Sequence, residues 1–375
     1  MYEVDKQGIR GLKYDHMKEE RQSSPGLFGI ESSNKDFTKS SSWGKNQFNN
    51  TFPLALLNYM HSKGLEPVYI KLAKDFSIIH KKISVVKLYG IDPKSKNIRF
   101  AFEEVFEPYR PYVNTSLPRV DVVIQETLLE GIKYLTPLEV KLTALPDDLT
   151  SSFGEEDYGS EIVVRPDTIV YLALSFIAAS KGNKALFGKY LNKIFSRKMN
   201  WRKALLVEPV LPKLVKALDK LMTENGDLEV PVLIQPVWKT KGKSTALAEE
   251  CLDVFVWSNF ALTRLFFNQV DINGSITRPE RTVAWLAMML NEFSLKGKMN
   301  HKDIIDIYTY NTKNDKAFAL GGLKTREYMR SPELLKPRIT RSEIGKIILN
   351  GGERLLSPER RFDGIVQGTV DLFKG

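Results

Sequence analysis

The alternation of apolar and polar positions predicts a helix followed by strands in the first part of the chain. An apolar set that starts at Phe52 and ends before Gly64 has the spacing of an amphipathic helix. From Pro67 to Phe106, short apolar runs separated by polar residues are typical of strands. These runs are 68–70, 83–88 and 98–102, with a turn at Asp92-Pro93-Lys94 between the last two.

Two further apolar runs are the clearest strand candidates. They are Val120–Ile124 and Leu135–Leu142, and a polar loop around Glu130-Gly131 separates them. We therefore expect the two strands to pair as neighbours. A helix is predicted over 166–179, because a proline and an acidic residue stand in its first turn.

The second half of the chain combines helical patterning with a strand. Residues 231–238 predict a strand, 245–267 a long mixed or helical segment, and 282–293 a core helix. From Lys324 onwards, basic residues accompany helical patterning. No internal repeat or heptad array is present in the sequence, which is typical of an α/β core with a mainly helical extension.

The composition favours a globular protein of a reducing compartment. Hydrophobic residues make up 42% of the 375 residues, which excludes a globally disordered chain. Cys251 is the sole cysteine, so no internal disulfide can form. The N-terminus has no apolar signal segment, and the apolar run 169–179 is about half the length needed to cross a bilayer. We therefore expect a soluble protein of the cytoplasm with no membrane partner.

The net charge of +10 points to a polyanionic partner. Between residues 181 and 220, eleven Lys or Arg side chains face only two acids, so this basic run holds nearly the whole excess. Such a run binds phosphates through counterion release, although many charge runs are simply solvated faces. The four histidines do not cluster with the cysteine, which excludes a zinc site built on several thiolates.

Three charged residues on the predicted strand pair have the arrangement of a phosphodiesterase centre. Asp121 precedes Glu139 by 18 residues, and Lys141 follows two positions later. Because residues two apart in a strand share a face, Glu139 and Lys141 project together, and Asp121 on the neighbouring strand can meet them. Two carboxylates can hold Mg²⁺, and a lysine beside the metal can polarise the attacking water.

The predicted metal ligands are Asp121, Glu139 and the backbone carbonyl of Val140. The expected ion is Mg²⁺, which prefers oxygen ligands, with Mn²⁺ able to substitute. Val120, Val122 and Val140 are expected to point to the opposite, buried side of the sheet.

The Glu-x-Lys motif alone is weak evidence for a catalytic site, because it occurs by chance in most chains of this length. Asp92-Pro93-Lys94 matches Asp-x-Lys but stands in a predicted turn. The alternative to a catalytic site is that Glu139 and Lys141 lie on the solvated face of an edge strand, with Asp121 as their ion-pair neighbour. The sequence pattern alone does not distinguish this arrangement from a catalytic site. Other nuclease and nucleotide-binding motifs are incomplete. A nuclease site of the form His-x-Lys with a spaced Asp lacks one residue both at His80-Lys81-Lys82 and at His301-Lys302-Asp303. A P-loop lacks its first glycine at Gly242-Lys243-Ser244.

Three longer blocks of sequence stand at Trp43–Asn49, Leu138–Asp147 and Ile162–Thr168. Together they resemble the HindVP-type type II restriction endonucleases of the PD-(D/E)xK nuclease superfamily, from about Gly26 through most of the chain. The resemblance implies a Mg²⁺-dependent homodimer that makes double-strand cuts at a degenerate palindrome related to GRCGYC. It also implies a companion DNA cytosine methyltransferase that acts on the same site without a physical association.

The resemblance assigns the active-centre motif to Asp121, Glu139 and Lys141. One departure is that Arg119-Val120 stands where a proline usually precedes the aspartate directly, with Pro118 displaced.

Several polar and basic residues are candidates for DNA contact. Asn and Gln can read adenine, Lys and Arg can read guanine, and cations also bind phosphates. Helix capping is the alternative for the amides near the first helix. Glu103 and Glu104 could supply a third metal ligand, although such a pair is more often solvated. We interpret His80 and His301 as structural residues. The DNA-contact candidates are Lys45, Asn46, Gln47, Asn50, Arg119, Arg165, Lys198 and Arg202.

The sequence therefore predicts an α/β protein with a PD-(D/E)xK restriction-endonuclease-like core, a mixed central sheet flanked by helices. The predicted division is a polar arm over 1–25, a nuclease core over 26–180, and a basic, mainly helical part over 181–375 for DNA grip and dimerisation, which is either separate from the core or continuous with it. The predicted function is Mg²⁺-dependent cleavage of unmethylated double-stranded DNA. The alternatives are another nuclease of the same core, acting in repair or on junctions, and a basic protein that binds DNA without cutting it.

Overall fold

The computed structural model describes the chain in eight segments. These are 26–35, 44–141, 162–195, 200–241, 246–270, 278–307, 318–320 and 332–350, with the backbone alone described at 44–49, 204–205, 240 and 318–320. The predicted arm at 1–25 lies outside these segments.

A mixed sheet of eight strands runs through the described part of the chain. The described segments contain ten strands, eight of them in this sheet. They are β1 (Val68–Leu72), β2 (Ile78–Lys82), β3 (Ile98–Glu104), β4 (Val120–Leu128), β5 (Gly131–Val140), β6 (Ile162–Val164), β7 (Pro231–Thr240), β8 (Leu247–Ser258), β9 (Phe318–Leu320) and β10 (Ile339–Thr340). The order in the sheet is β2-β1-β8-β7-β5-β4-β3, with β10 also paired to β8, while β6 and β9 form a separate antiparallel pair.

The middle of the sheet joins strands that are far apart in sequence. β4 and β5 pair antiparallel across a tight turn, which confirms the predicted pairing. β5 and β7 pair parallel, so the chain between them crosses over the sheet through helices. Because β7 and β8 lie between β5 and β1, strands from both sides of residue 180 build one sheet.

Helices cover both faces of the sheet, and none in the described segments is long and apolar enough to cross a membrane. They are α1 (Gly44–Ser62), α2 (Val85–Tyr89), α3 (Pro166–Ala179), α4 (Lys184–Phe195), α5 (Ala204–Val207), α6 (Leu211–Glu224), α7 (Asn259–Phe267), α8 (Arg278–Lys296), α9 (His301–Ile305), α10 (Pro332–Leu335) and α11 (Arg341–Leu349), with 3-10 turns at Glu107–Tyr112, Glu208–Val210 and Gly226–Leu228.

Each face of the sheet carries its own apolar core. The α3 core contains Ile169, Phe176 and Ile177 together with buried residues of α4, α6, α7 and α8. The α1 core contains Leu54, Leu56 and Leu57 together with buried residues of α2 and α11. Alternate residues of β8 face the two cores in turn, as the pleat requires. The result is the predicted α/β architecture of a mixed sheet between helical layers.

Helix α3 has the bounds that the sequence predicts. Pro166 stands in its first turn, and every side chain from Thr168 to Ile177 is buried. A helix that is apolar all round is stable only inside a protein. It packs between β4 and α8, which places its first turn near the start of β4.

The prediction of a strand at 83–88 is wrong, because this run contains helix α2. The hydroxyl of Ser84 accepts the N–H of Lys87 at the start of the helix, and Gly90 ends it with a left-handed φ of 75°. These caps outweigh the strand preference of the apolar residues between them. The segment 245–267, predicted as mixed or helical, is β8 followed by α7. Much of β8 is buried on both faces, so its apolar run lacks the alternation that identifies a strand.

Candidate active site

The β4–β5 hairpin brings the three predicted catalytic side chains to one place on the sheet. Its register puts Asp121, at the start of β4, across from Glu139 near the end of β5. Lys141 follows Glu139 by two positions and shares its face. Val140 lies in the α1 core, so the three charged side chains are on the side of α3.

The ammonium group of Lys141 lies within ion-pair distance of both carboxylates. Lys141 Nζ is 2.9 Å from Glu139 Oε2 and 3.7 Å from Asp121 Oδ2. Asp121 Oδ2 also accepts the backbone N–H of Val140 at 2.8 Å. One ammonium group therefore stands between two carboxylates, in the arrangement that the strand spacing predicts.

The peptide group of Val140 faces this cluster. The N–H of Lys141 donates to the carbonyl of Ile234 on β7 at 2.9 Å, so the ladder to β7 uses the residues on either side of Val140. The N–H and C=O of one strand residue point to the same side, so the carbonyl of Val140 points towards β4 and Asp121. The sequence predicts that Val120, Val122 and Val140 point away from the cluster. This is confirmed for Val122 and Val140, which lie in the α1 core, and it is wrong for Val120, which lies in the α3 core.

Glu139 is the most deeply buried member of the cluster, with 7% of its surface exposed. Burial raises the pKa of Glu139 to about 8; attraction to Lys141 opposes this shift, and repulsion from Asp121 adds to it. A single ammonium can balance only one of the two carboxylates. The site is therefore one positive charge short when both carboxylates are ionised.

Lys141 keeps its charge in this setting. Burial alone would lower the pKa of Lys141, but attraction to Glu139 and Asp121 outweighs it, and the pKa is raised. Arg165, which precedes α3, acts in the opposite direction, so its guanidinium lies close enough to repel the ammonium. Because Arg165 is exposed, it adds a second cation at the rim of the site.

The donors at this site fit a hard divalent cation. Two carboxylates and a backbone carbonyl are oxygen ligands, which suit Mg²⁺ better than softer metals. A dication would also supply the positive charge that the two carboxylates lack. Within the described segments no three His, Cys, Asp or Glu side chains form a metal-binding group, so water and phosphate would have to complete the coordination.

The acidic pair at 103–104 ends β3, where Glu104 pairs with Val120 of β4, and both glutamates have partners of their own. Lys35 Nζ lies 4.0 Å from Glu103. Glu104 accepts hydrogen bonds from Asn34 Nδ2 at 3.5 Å and from the N–H of Val105 at 2.9 Å. In the described segments neither glutamate completes a group of three metal-binding side chains with Asp121 and Glu139.

Tyr171 holds the chain that leads into β4. Its hydroxyl donates to the carbonyl of Pro118 at 2.9 Å and accepts the N–H of Phe106 at 3.3 Å. These bonds fix the segment three residues before Asp121. Sequence reasoning missed Tyr171, because one tyrosine in a wholly apolar helix carries no signal of a bond to a distant loop.

His301 supports the same segment. It is 3% exposed, and its Nε2 lies 2.9 Å from the carbonyl of Ser116. Burial lowers the pKa of His301, which favours a neutral ring that donates from Nε2. His80 lies 3.4 Å from Glu333 on α10, away from the cluster. Both placements are those of structural histidines.

The DNA-contact candidates lie in different settings. Arg119 is exposed two residues before Asp121, and Arg202 is exposed in the turn before α5. Asn50 on α1 is buried, with 4% of its surface exposed. The side chains of Lys45, Asn46 and Gln47, and the whole of Lys198, lie outside what the structure describes.

The basic run 181–220 forms α4 and α6, which pack on α8. Lys189 and Lys220 lie 3.0 and 3.6 Å from Glu224. Lys213 and Lys216 on α6 are exposed. The run therefore presents cations to solvent from a rigid helical layer.

The family model of the HindVP restriction endonuclease matches residues 43–373 of this chain. The chain is 44% identical over 357 residues to the type II restriction enzyme HgiDI of Herpetosiphon aurantiacus, which covers 95% of this chain and 99% of that protein. It is 39% identical over 353 residues to the probable type II restriction enzyme HindVP of Haemophilus influenzae, covering 93% and 95%. No solved structure matches the chain at a significant level.

These matches run across the strands and helices that build the charged cluster, and they confirm the resemblance found in the sequence. The protein therefore belongs to the HindVP restriction endonuclease family, and it is a type II restriction enzyme, a site-specific deoxyribonuclease.

Proposed function

We propose that this enzyme makes Mg²⁺-dependent double-strand cuts in unmethylated DNA at a short palindrome, GRCGYC-like as the sequence resemblance implies. The observation that carries the proposal is the convergence of Asp121, Glu139 and Lys141 on one sheet face. The uneven charge of this group, two acids to one base, supports a cation as the missing component.

Asp121, Glu139 and the carbonyl of Val140 would hold the cation, with Mn²⁺ able to replace Mg²⁺. When bound, the cation supplies charge neutralisation at the phosphate and lowers the pKa of nearby water. Burial raises the pKa of Glu139 to about 8, so this carboxyl would have to be ionised to hold the cation. Lys141 donates to the attacking water and holds it in line with the phosphorus.

The reaction is a hydrolysis in which water attacks phosphorus from the side opposite the leaving oxygen. A bond forms between the water oxygen and phosphorus, and the bond between phosphorus and the 3′ oxygen breaks. The water loses a proton to solvent, and the 3′ oxygen takes up a proton. The products are a 5′-phosphate and a 3′-hydroxyl.

A homodimer is the assembly that this function requires, because a palindrome presents the same bond twice about a two-fold axis. The exposed cations of the run 181–220 support a role of this helical layer in gripping the DNA backbone. A companion cytosine methyltransferase would protect host DNA at the same site, and the enzyme itself would act in the prokaryotic cytoplasm.

Digestion of unmethylated plasmid with Mg²⁺ tests the proposal. We expect discrete fragments from the wild type and no fragments from Asp121→Ala, and sequencing of the ends gives the site. Asp92→Ala is the control, because Asp92 has the acid-x-Lys spacing of Glu139 and Lys141 but lies in a turn, 57% exposed in its side chain. Cutting without sequence preference would favour a repair or junction nuclease, and binding without cutting would favour a DNA-binding protein.

A further inference from the structure

A buried glutamine stands on β7, beside the catalytic strand. Gln235 has 0% of its surface exposed. The indole Nε1 of Trp257 on β8 donates to Gln235 Oε1 at 2.8 Å. Because an indole N–H can only donate, this bond identifies the oxygen end of the amide. The other end, Nε2, is buried and has no hydrogen-bond partner among the described residues.

The strand register places this amide next to the catalytic side chains. β5 and β7 run parallel, with Glu139 paired to Leu233 and Val140 paired to Ile234. The next position in the same register sets Gln235 beside Lys141. Neighbouring strands lie about 4.8 Å apart, so the amide and the ammonium occupy adjacent positions.

The amide also lies on the same face as the cluster. Leu233 and Val237, two residues before and after Gln235, belong to the α3 core. Alternate residues of a strand share a face, so Gln235 points to the α3 side, as Glu139 and Lys141 do. Its NH₂ group is therefore buried on the face that carries the catalytic charges.

A buried donor without a partner is unfavourable. The bond from Trp257 fixes one end of the amide and leaves two N–H groups free at the other. A neutral donor suits a place beside a metal, because a further cation would compete with the metal for the carboxylates. The remaining ligand of the site is the anionic phosphate.

We infer that Gln235 is a further catalytic residue, whose NH₂ group donates to a non-bridging oxygen of the scissile phosphate while Trp257 holds its carbonyl in place. The inference rests on the proposed function of Asp121, Glu139 and Lys141. Negative charge grows on the non-bridging oxygens as water attacks, so a donor already in position stabilises the transition state more than the bound substrate.

The test is single-turnover cleavage of a duplex by Gln235→Met, with DNA affinity measured separately in Ca²⁺. We expect the rate to fall on the order of 100-fold, the effect of losing one such donor, while the affinity changes by less than about threefold. Gln269→Met is the matched control, because Gln269 Nε2 is also buried without a partner among the described residues but lies at the end of α7. It should cut at the wild-type rate.

Phosphorothioate DNA separates a contact with phosphate from an indirect effect. Sulfur is a poor hydrogen-bond acceptor, so in one of the two diastereomers the loss caused by Gln235→Met should shrink to less than about threefold. An equal loss with oxygen and with both diastereomers would overturn the inference. Should the methionine variant not fold, Gln235→Glu keeps an oxygen for Trp257, and the same results are expected of it.

The parent proposal can fail separately. Wild-type cleavage by Gln235→Met, with Asp121→Ala inactive, would overturn this inference alone. Wild-type cleavage by Asp121→Ala would overturn the proposed function and the inference with it.

Discussion

Two groups of buried charges lie in the same sheet, and they differ in balance. Asp253 on β8 is fully buried, and both its oxygens accept from Arg338 at 2.7 Å. Asp121 and Glu139 instead share the single ammonium of Lys141. The first group is balanced, with one acid and one base, whereas the second has two acids and one base.

Under the proposed function, the first group is a structural pair and the second is the reactive one. Asp253 also accepts the N–H of Val254 at 2.8 Å, and its bonds to Arg338 raise the pKa of that guanidinium. In the charged cluster of Asp121, Glu139 and Lys141 the surplus acid is Glu139, whose pKa is raised to about 8 by burial. A buried acid that lacks a counter-charge is costly, and it persists where a ligand completes the group.

Removing the surplus acid should have the largest effect on activity. In Glu139→Gln the shape is kept and the charge is lost, so we expect plasmid cleavage to fall by at least about 1000-fold. Thermal unfolding should occur at the same or a higher temperature, because a poorly compensated buried acid has been removed. A large loss of stability in this variant would show that Glu139 holds the fold together.

Substitution in the balanced pair of Asp253 and Arg338 should have the opposite effect, a loss of stability without a loss of activity. Asp253→Asn leaves Arg338 without its counter-charge and should lower the free energy of unfolding by about 3 kcal/mol, at the low end for buried pairs because Arg338 is partly exposed. Cleavage should be unchanged at temperatures where the variant is folded. A catalytic defect in folded Asp253→Asn would erase the contrast between the two groups.

The raised pKa of Glu139 should make metal binding depend on pH. Between its ordinary value of 4.5 and about 8 the folded, metal-free protein holds a proton that the metal must displace. Affinity for Mg²⁺ should therefore rise by about tenfold per pH unit towards about 8 and then level off. Calorimetric titrations across this range measure the slope, which should vanish in Glu139→Gln.

The same proton has a defined effect on stability. Because the folded pKa of Glu139 lies above its unfolded value, the proton stabilises the metal-free protein fully below pH 4.5. This contribution is lost as the pH rises through about 8. A contribution from Glu139 that increased over this range would contradict the raised pKa.

Loosening the segment ahead of Asp121 should have a smaller effect. Tyr171→Phe removes the bonds to Pro118 and Phe106, and we expect about a tenfold loss of cleavage rate and about 1 kcal/mol of stability. Tyr190→Phe is the control, since that hydroxyl donates to Glu224 on the helical layer. Equal cleavage by both variants would remove Tyr171 from the positioning of the site.

The smallest effects should come from the exposed cations at the rim. Arg119→Ala and Arg165→Ala should each weaken DNA binding a few-fold and reduce the salt dependence of the affinity by about one phosphate contact. Lys81→Ala, exposed on β2 at the far edge of the sheet, should change neither quantity. A salt slope that moves equally in all three variants would point to general attraction.

The convergence of Asp121, Glu139 and Lys141 could be predicted because its signals are local. Glu139 and Lys141 stand two apart in one strand, and a tight turn links that strand to Asp121. Helix α3 could be bounded because Pro166 marks its start. The place of Gln235 beside Lys141 could not be predicted, since it depends on a parallel register between β5 and β7 that a long crossover sets. The available signal was the amide itself, in an otherwise apolar strand.

Manganese binding tests the central claim most directly, namely that the unbalanced charges form the metal centre. The free Mn²⁺ signal in electron paramagnetic resonance would be followed as protein is added, at a pH where Glu139 is ionised. We expect the wild type and Asp253→Asn to bind Mn²⁺ alike, and Asp121→Asn combined with Glu139→Gln to bind it at least about tenfold more weakly. Wild-type affinity in the double variant would contradict the account.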